Sequence, residues 1–175
     1  AEAGEFTLPD DELCAAMYER AVIKLNNTGY GRYEISNFSL PGYECRHNMR
    51  YWERGEYLGL GPGAWSFISG KRYANVADTA EYVRRLSIGR SPIDAQESVG
   101  PCSSARETVL LRLRTAKGLD LFGFERQFGA DLLRRLTRNA APLRDAGLLR
   151  EKQGRLTLTD RGILLSDEAL ARLSV

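Results

Sequence analysis

One helix followed directly by one strand opens the chain. Pro9-Asp10-Asp11-Glu12 starts the helix: proline suits a first turn, and three acids sit at the positive end of the helix dipole. Leu13, Met17, Ala21 and Leu25 recur at four-residue spacing and mark an apolar stripe, which Asn26-Asn27-Thr28-Gly29 stops. Tyr33-Glu34-Ile35-Ser36-Asn37-Phe38 then alternates large apolar with polar side chains, as a strand does. Helix–strand units build parallel sheets, and a single unit cannot bury both faces of one. The pattern therefore predicts a larger α/β structure begun upstream. The opening Ala1-Glu2-Ala3-Gly4 lacks an initiator methionine, which fits a piece of something longer, although methionine removal would look the same.

Charge divides the chain in two. Residues 1–102 carry 11 basic and 14 acidic side chains, residues 103–175 carry 14 and 9, so −3 faces +5 behind a net charge of +2. The seam falls at Gly100-Pro101-Cys102-Ser103-Ser104. Beyond it, Ser104-Ala105-Arg106-Glu107 reads as a capping box ahead of Val109, Leu110, Leu113 and Ala116. Gly118 closes that helix. A short helix over 122–128 follows, then a longer one from Asp131 that Pro142 kinks or restarts. A hairpin turns at Lys152-Gln153-Gly154, and a last helix runs from Thr159 or Asp160 toward Leu173. Three helices, a hairpin and a helix form a winged-helix-like layout. Four arginines there, Arg134, Arg135, Arg138 and Arg144, raise nucleic-acid binding. Asp131 and Asp145 interrupt the patch, and a solvated helix face is the better reading.

Between the two units, residues 39–56 show no periodicity. Tyr57-Leu58-Gly59-Leu60-Gly61-Pro62-Gly63-Ala64 sets glycines at alternate positions, where another group can approach the backbone. Tyr73-Ala74-Asn75 suits a short strand, and 79–86 a helix with Tyr82, Val83 and Leu86 on one face. Cys14, Cys45 and Cys102 are sparse, odd in number and without a Cys-x-x-Cys pair, so neither a disulfide framework nor structural zinc is expected, and a cytoplasmic location is. No apolar run reaches the roughly 20 residues of a membrane span. His47 is the sole histidine, set in His47-Asn48-Met49-Arg50-Tyr51-Trp52. A lone imidazole can ligate iron, transfer protons or satisfy hydrogen bonds in a core, and composition alone favours the core. A flat macrocycle, however, wants aromatic faces and one axial donor, and this segment has both.

These residues carry a resemblance. Tyr33 to Phe38, Pro41-Gly42, the His-Asn-x-x-Tyr-Trp pattern at 47–52 and Tyr57-Leu58-Gly59-Leu60-Gly61 follow one another as in the oxygen-independent coproporphyrinogen III oxidase-like proteins. Within that family they are most similar to the heme chaperone HemW branch. Leu111-Arg112-Leu113-Arg114 and Leu156-Thr157-Leu158-Thr159-Asp160-Arg161-Gly162 extend the likeness from about residue 8 to the end.

The resemblance implies the terminal part of a radical S-adenosylmethionine α/β barrel over 1–102. A mainly α, winged-helix-like domain would follow over 103–175. It implies a 4Fe-4S cluster and S-adenosylmethionine in the full-length protein, held by a Cys-x-x-x-Cys-x-x-Cys motif that these 175 residues lack. This stretch alone is then expected to be inactive. His47 becomes the heme-contacting candidate, with Asn48, Tyr51 and Trp52 shaping its surroundings, and Gly59, Gly61 and Gly63 fall where a bound cofactor could approach. Where the family often has histidine, this chain has Trp65, as a core or stacking residue. The implied partner is heme or a coproporphyrinogen-type tetrapyrrole, carried or, alternatively, oxidatively decarboxylated. A barrel slice, without its N-terminal half, also leaves a sheet edge and an apolar helix face uncovered, so the isolated chain is expected to self-associate or to be marginally stable.

Overall fold

The computed structural model describes residues 8–173. Helix α1 (Asp11–Asn27) is capped by the Asp10 carboxylate, which accepts from the Leu13 N–H at 2.8 Å. Its inward face is Ala15, Tyr18, Val22 and Leu25, each partly buried, while Leu13, Met17 and Ile23 are exposed. The stripe read from Leu13, Met17 and Ala21 therefore points outward. Tyr18 decides the rotation: it packs on the core and donates its hydroxyl proton to the Ile35 carbonyl at 2.9 Å.

The strand expected over 33–38 is a tight turn. Strands β1 (Gly31–Arg32) and β2 (Phe38–Ser39) pair antiparallel on either side of it. Glu34 is the cause. Only 1% exposed, its carboxylate accepts the Ser36 N–H at 3.2 Å, and Tyr33 N–H reaches the Asn37 carbonyl at 3.1 Å, folding the chain back. Alternation of side chains, which suggested a strand, is here the record of one side chain turned in and its neighbours turned out.

Helix α2 (Arg46–Trp52) follows, then a glycine-bearing loop and a three-stranded sheet of β3 (Trp65–Ile68), β4 (Lys71–Asn75) and β5 (Ile93–Ser98) in that order. Helix α3 (Thr79–Ser87) connects β4 to β5, with Val83 and Leu86 exposed. Strand β4 and helix α3 lie where the sequence placed them. Helix α2 does not show in the pattern because it is two turns long and buries no side chain fully. Every strand pair among the described residues is antiparallel, so these residues do not form the parallel sheet that a helix–strand unit implied.

Helix α4 (Pro101–Leu113) starts three residues before the expected capping box. Pro101 at its first position is already set for the helical φ, so Ser104 and Glu107 lie inside the first turns and are released for other contacts. Then come β6 (Leu119–Asp120), α5 (Leu121–Phe128), α6 (Ala130–Asp145), β7 (Leu149–Lys152), β8 (Arg155–Leu158), α7 (Asp160–Leu164) and α8 (Ser166–Ala171). Pro142 neither ends nor restarts α6, which runs on through it to Asp145. The sheet order β6-β8-β7 gives the winged-helix-like layout. Its hairpin turns at Gln153-Gly154, with φ of +53° and +71°, the double-positive turn that matches strand twist.

The hydrophobic core is one cluster, running from Ala105 on α4 to Leu173, with Phe124, Leu136, Leu143 and Leu156 at its centre. From residue 8 to residue 100, only Glu34, Ser66 and Phe67 are buried. Within that range, Tyr18 and Ile35 pack partly buried against the core cluster. No described helix is long and apolar enough to cross a membrane.

Thr159 joins three pieces of the second unit. Its hydroxyl donates to the Gly147 carbonyl at 2.7 Å and accepts the Gly162 N–H at 3.0 Å, capping α7 while holding the end of α6. Thr159→Ala is expected to cost about 1 kcal/mol, the usual worth of a lost N-cap. Urea unfolding would show this as a lower midpoint at unchanged slope; an unmoved midpoint would mean the cap contributes nothing.

Candidate functional site

Helix α2 turns the His-Asn-x-x-Tyr-Trp spacing into two pairs, since residues four apart share a face. His47 and Tyr51 form one pair, their rings edge to face with centroids 4.9 Å apart. Asn48 and Trp52 form the next, both partly buried. The ring ladder continues through Tyr57, 4.5 Å from Tyr51. His47 itself is exposed, so the core role that composition favoured does not hold. His47 lines an open groove of about 610 Å³, a size typical of small-molecule sites. Arg46, Met49, Arg50, Glu53, Tyr57 and Leu58 line this groove with it.

The ladder is tied to β3 and, through Arg54, to α4. Tyr57 exchanges both backbone hydrogen bonds with Phe67 on β3, each 2.9 Å. Phe67 is buried beneath the guanidinium of Arg54, 4.6 Å above its ring, with Arg72 at 5.9 Å. Arg54, in the left-handed conformation at φ +56°, ends the α2 segment and donates to Glu107 at 3.0 Å and to Ser104 at 2.9 Å. Arg72 reaches the other Glu107 oxygen at 2.6 Å and Glu97 at 3.0 Å. Burial works against the Arg72 charge, yet its hydrogen bonds with Glu107 and Glu97 outweigh burial and push its pKa up. Glu53 adds a bridge to Arg112 at 3.4 Å. Ser104 and Glu107, misread as a cap, are the α4 anchors of this helix.

Gly59, Gly61 and Gly63 do permit a close approach, and the group that approaches is the chain itself. A Cβ on Gly59 would stand 2.1 Å from the Trp65 carbonyl oxygen. Gly61 and Gly63 need positive φ, +103° and +69°. Their N–H groups are taken internally: Gly59 donates to Ser66 Oγ at 3.0 Å, Gly61 to the Tyr82 hydroxyl at 3.2 Å, and Gly63 to the Val76 carbonyl at 3.0 Å. Trp65 is 48% exposed and fills no core.

Cys14, Cys45 and Cys102 are separate and exposed, and no group of three metal-ligating side chains occurs among the described residues. These residues do not fit an iron–sulfur cluster. In the basic C-terminal unit, Arg134 pairs with Asp131 and Arg144 with Glu151, as on a solvated face. Sequence reasoning missed Arg46, Arg50 and Tyr57 as site residues. The helix would have revealed the arginines, which flank His47 at the preceding and third following positions.

Residues 103–165 match the HemN C-terminal domain. The heme chaperone HemW of Mycobacterium tuberculosis is 38% identical over 170 residues, covering 97% of this chain and 42% of that protein. HemW of Lactococcus lactis is 31% identical over 169 residues, covering 97% and 44%. Among solved structures, the Escherichia coli radical SAM enzyme coproporphyrinogen III oxidase (HemN) superposes with a TM-score of 0.75, at 19% identity, over 96% of this chain and 42% of that one. The chain spans less than half the length of each. It belongs with the HemN- and HemW-like radical S-adenosylmethionine proteins, and its residues correspond to their C-terminal part.

Proposed function

We propose that this chain supplies the tetrapyrrole-facing edge of a heme-handling protein, which receives heme as cargo and passes it on. One observation carries the reading: α2 presents the solitary imidazole of His47 to an open groove, backed by Tyr51 and Tyr57. An imidazole offers iron an axial nitrogen, and the aromatic rings behind it offer a flat macrocycle an apolar edge. A carrier must also release its cargo, which an exposed ligand in an open groove allows. Asn48 and Trp52, both partly buried, lie on the neighbouring face of α2 and would shape the surroundings of His47. Residues 1–102 and 103–175 act as two units, the second serving as the base on which the first is held. The cluster and S-adenosylmethionine, where the complete protein uses them, are held by residues other than these. Three exposed thiols suit a reducing compartment such as the cytoplasm.

Titrating the complete natural polypeptide with hemin and following the Soret band tests this. Saturable binding is expected, weakened at least tenfold by His47→Ala, about the 1.4 kcal/mol that a tenfold change represents. Unchanged affinity in that variant would remove His47 from the account. The second reading, oxidative decarboxylation of coproporphyrinogen, rests on the fold shared with the oxidase. Protoporphyrinogen production by the cluster-loaded polypeptide would favour it over the carrier.

A further inference from the structure

Heme has two ends. Its iron takes an axial donor, and one edge carries two propionates on neighbouring pyrrole rings. A groove that only ligated the iron would leave those carboxylates, both ionised at neutral pH, to solvent.

The His47 groove has a charge pattern matched to that edge. Arg46 and Arg50 stand four residues apart on α2, which puts their Cβ atoms about 5–6 Å apart on one side of the helix. His47 lies between them in sequence, and all three side chains line the same groove. The other arginines around this site are committed: Arg54 and Arg72 to Glu107, and Arg112 to Glu53. The carboxylate that shares the groove, Glu53, is thus already engaged with Arg112. Among the described residues, no hydrogen bond or ion pair engages the guanidinium of Arg46 or of Arg50. Arg50 is also steered by its surroundings. A Cβ on Gly55 would stand 2.3 Å from Arg50 Cδ, so the arginine stem lies against the Gly55 backbone and would have to shift for any larger residue there. Gly55 further donates its N–H to the Arg50 carbonyl at 2.8 Å.

We infer that Arg46 and Arg50 form a dicarboxylate clamp in the His47 groove, gripping the propionate edge of the tetrapyrrole that His47 ligates. This rests on the heme reading above and adds to it the class of ligand admitted: a macrocycle with two free carboxylates on one edge. Guanidinium suits the task because its fork meets a carboxylate with two parallel hydrogen bonds. The clamp also fixes the direction of entry, with the carboxylate edge along α2.

The complete natural polypeptide is titrated with hemin and with hemin dimethyl ester in the same detergent, following the Soret band. Hemin is expected to bind at least tenfold more tightly than the ester. Arg46→Gln/Arg50→Gln is expected to abolish that preference by weakening hemin alone, leaving the Soret position of the bound form unchanged because His47 still ligates. Arg46→Lys/Arg50→Lys, which keeps the charge, is expected to retain part of the preference. Both arginines are exposed, so the variants leave the packing intact. Saturable binding of both ligands with equal affinity in the unaltered protein overturns the clamp and leaves the heme reading standing. A preference that survives the glutamine pair also overturns it. No saturable binding of hemin at all overturns both.

Discussion

Phe124→Ala is expected to lower the stability of the chain by about 3–5 kcal/mol, the usual cost of emptying a phenylalanine site in a core. Phe124 is 2% exposed at the centre of the single hydrophobic cluster, and its ring leans on Phe128 with centroids 4.9 Å apart. Removing it deletes the transfer energy of the ring, leaves a cavity between α4, α5 and α6, and forfeits an aromatic pair worth about 1 kcal/mol. A domain's whole margin is roughly 5–15 kcal/mol, so this one truncation takes much of it. Because the fully buried apolar residues are almost all between Ala105 and Leu173, the entire chain should lose structure with them. Urea unfolding followed by circular dichroism measures it. A loss under about 1 kcal/mol would mean the neighbours collapse into the gap, and that the core is looser than its packing shows.

The legible and illegible parts of this fold differ for physical reasons. The second unit could be read from its sequence because it buries its own apolar residues. Val109, Leu113, Leu156 and Leu158 recur with the periods of helix and strand, and Gly154 marks the hairpin. The first unit could not be read so well, since it holds little core. On α1 the apolar residues occupy two opposite sides, so spacing alone could not say whether Leu13 and Met17 or Tyr18 and Val22 face inward. Over 33–38 an alternating pattern came from one buried carboxylate rather than from a sheet.

The candidate site was legible in its residues and not in its shape. His47, Asn48, Tyr51 and Trp52 came from a pattern, and the helix that arranges them is too short and too exposed to show periodicity. Ser104 and Glu107 misled for the opposite reason. Their spacing is that of a cap, but Pro101 starts the helix first. What a cap would have used locally is spent across the chain on Arg54 and Arg72.

That exchange gives Glu107→Ala an expected effect distinct from that of Phe124→Ala. One carboxylate serves two guanidiniums, at 3.0 and 2.6 Å, and the three side chains are 22%, 16% and 29% exposed. Breaking a fully buried pair costs about 3–5 kcal/mol, whereas an exposed pair contributes about 0–1 kcal/mol. Partial burial places this cluster between them, at about 2 kcal/mol, with Arg54 left over Phe67 without its counter-charge. The loss should fall on the first unit, because Arg54 ends the α2 segment and Arg72 lies in β4, while α4 keeps Ala105, Val109 and Leu113 in the core. Hydrogen exchange is therefore expected to quicken at the amides of α2, β3 and β4, with those of α4, α6 and β8 unchanged. Loss of protection spread evenly over both would show that the two units unfold as one. It would also show that His47 is held by the general packing rather than through Glu107.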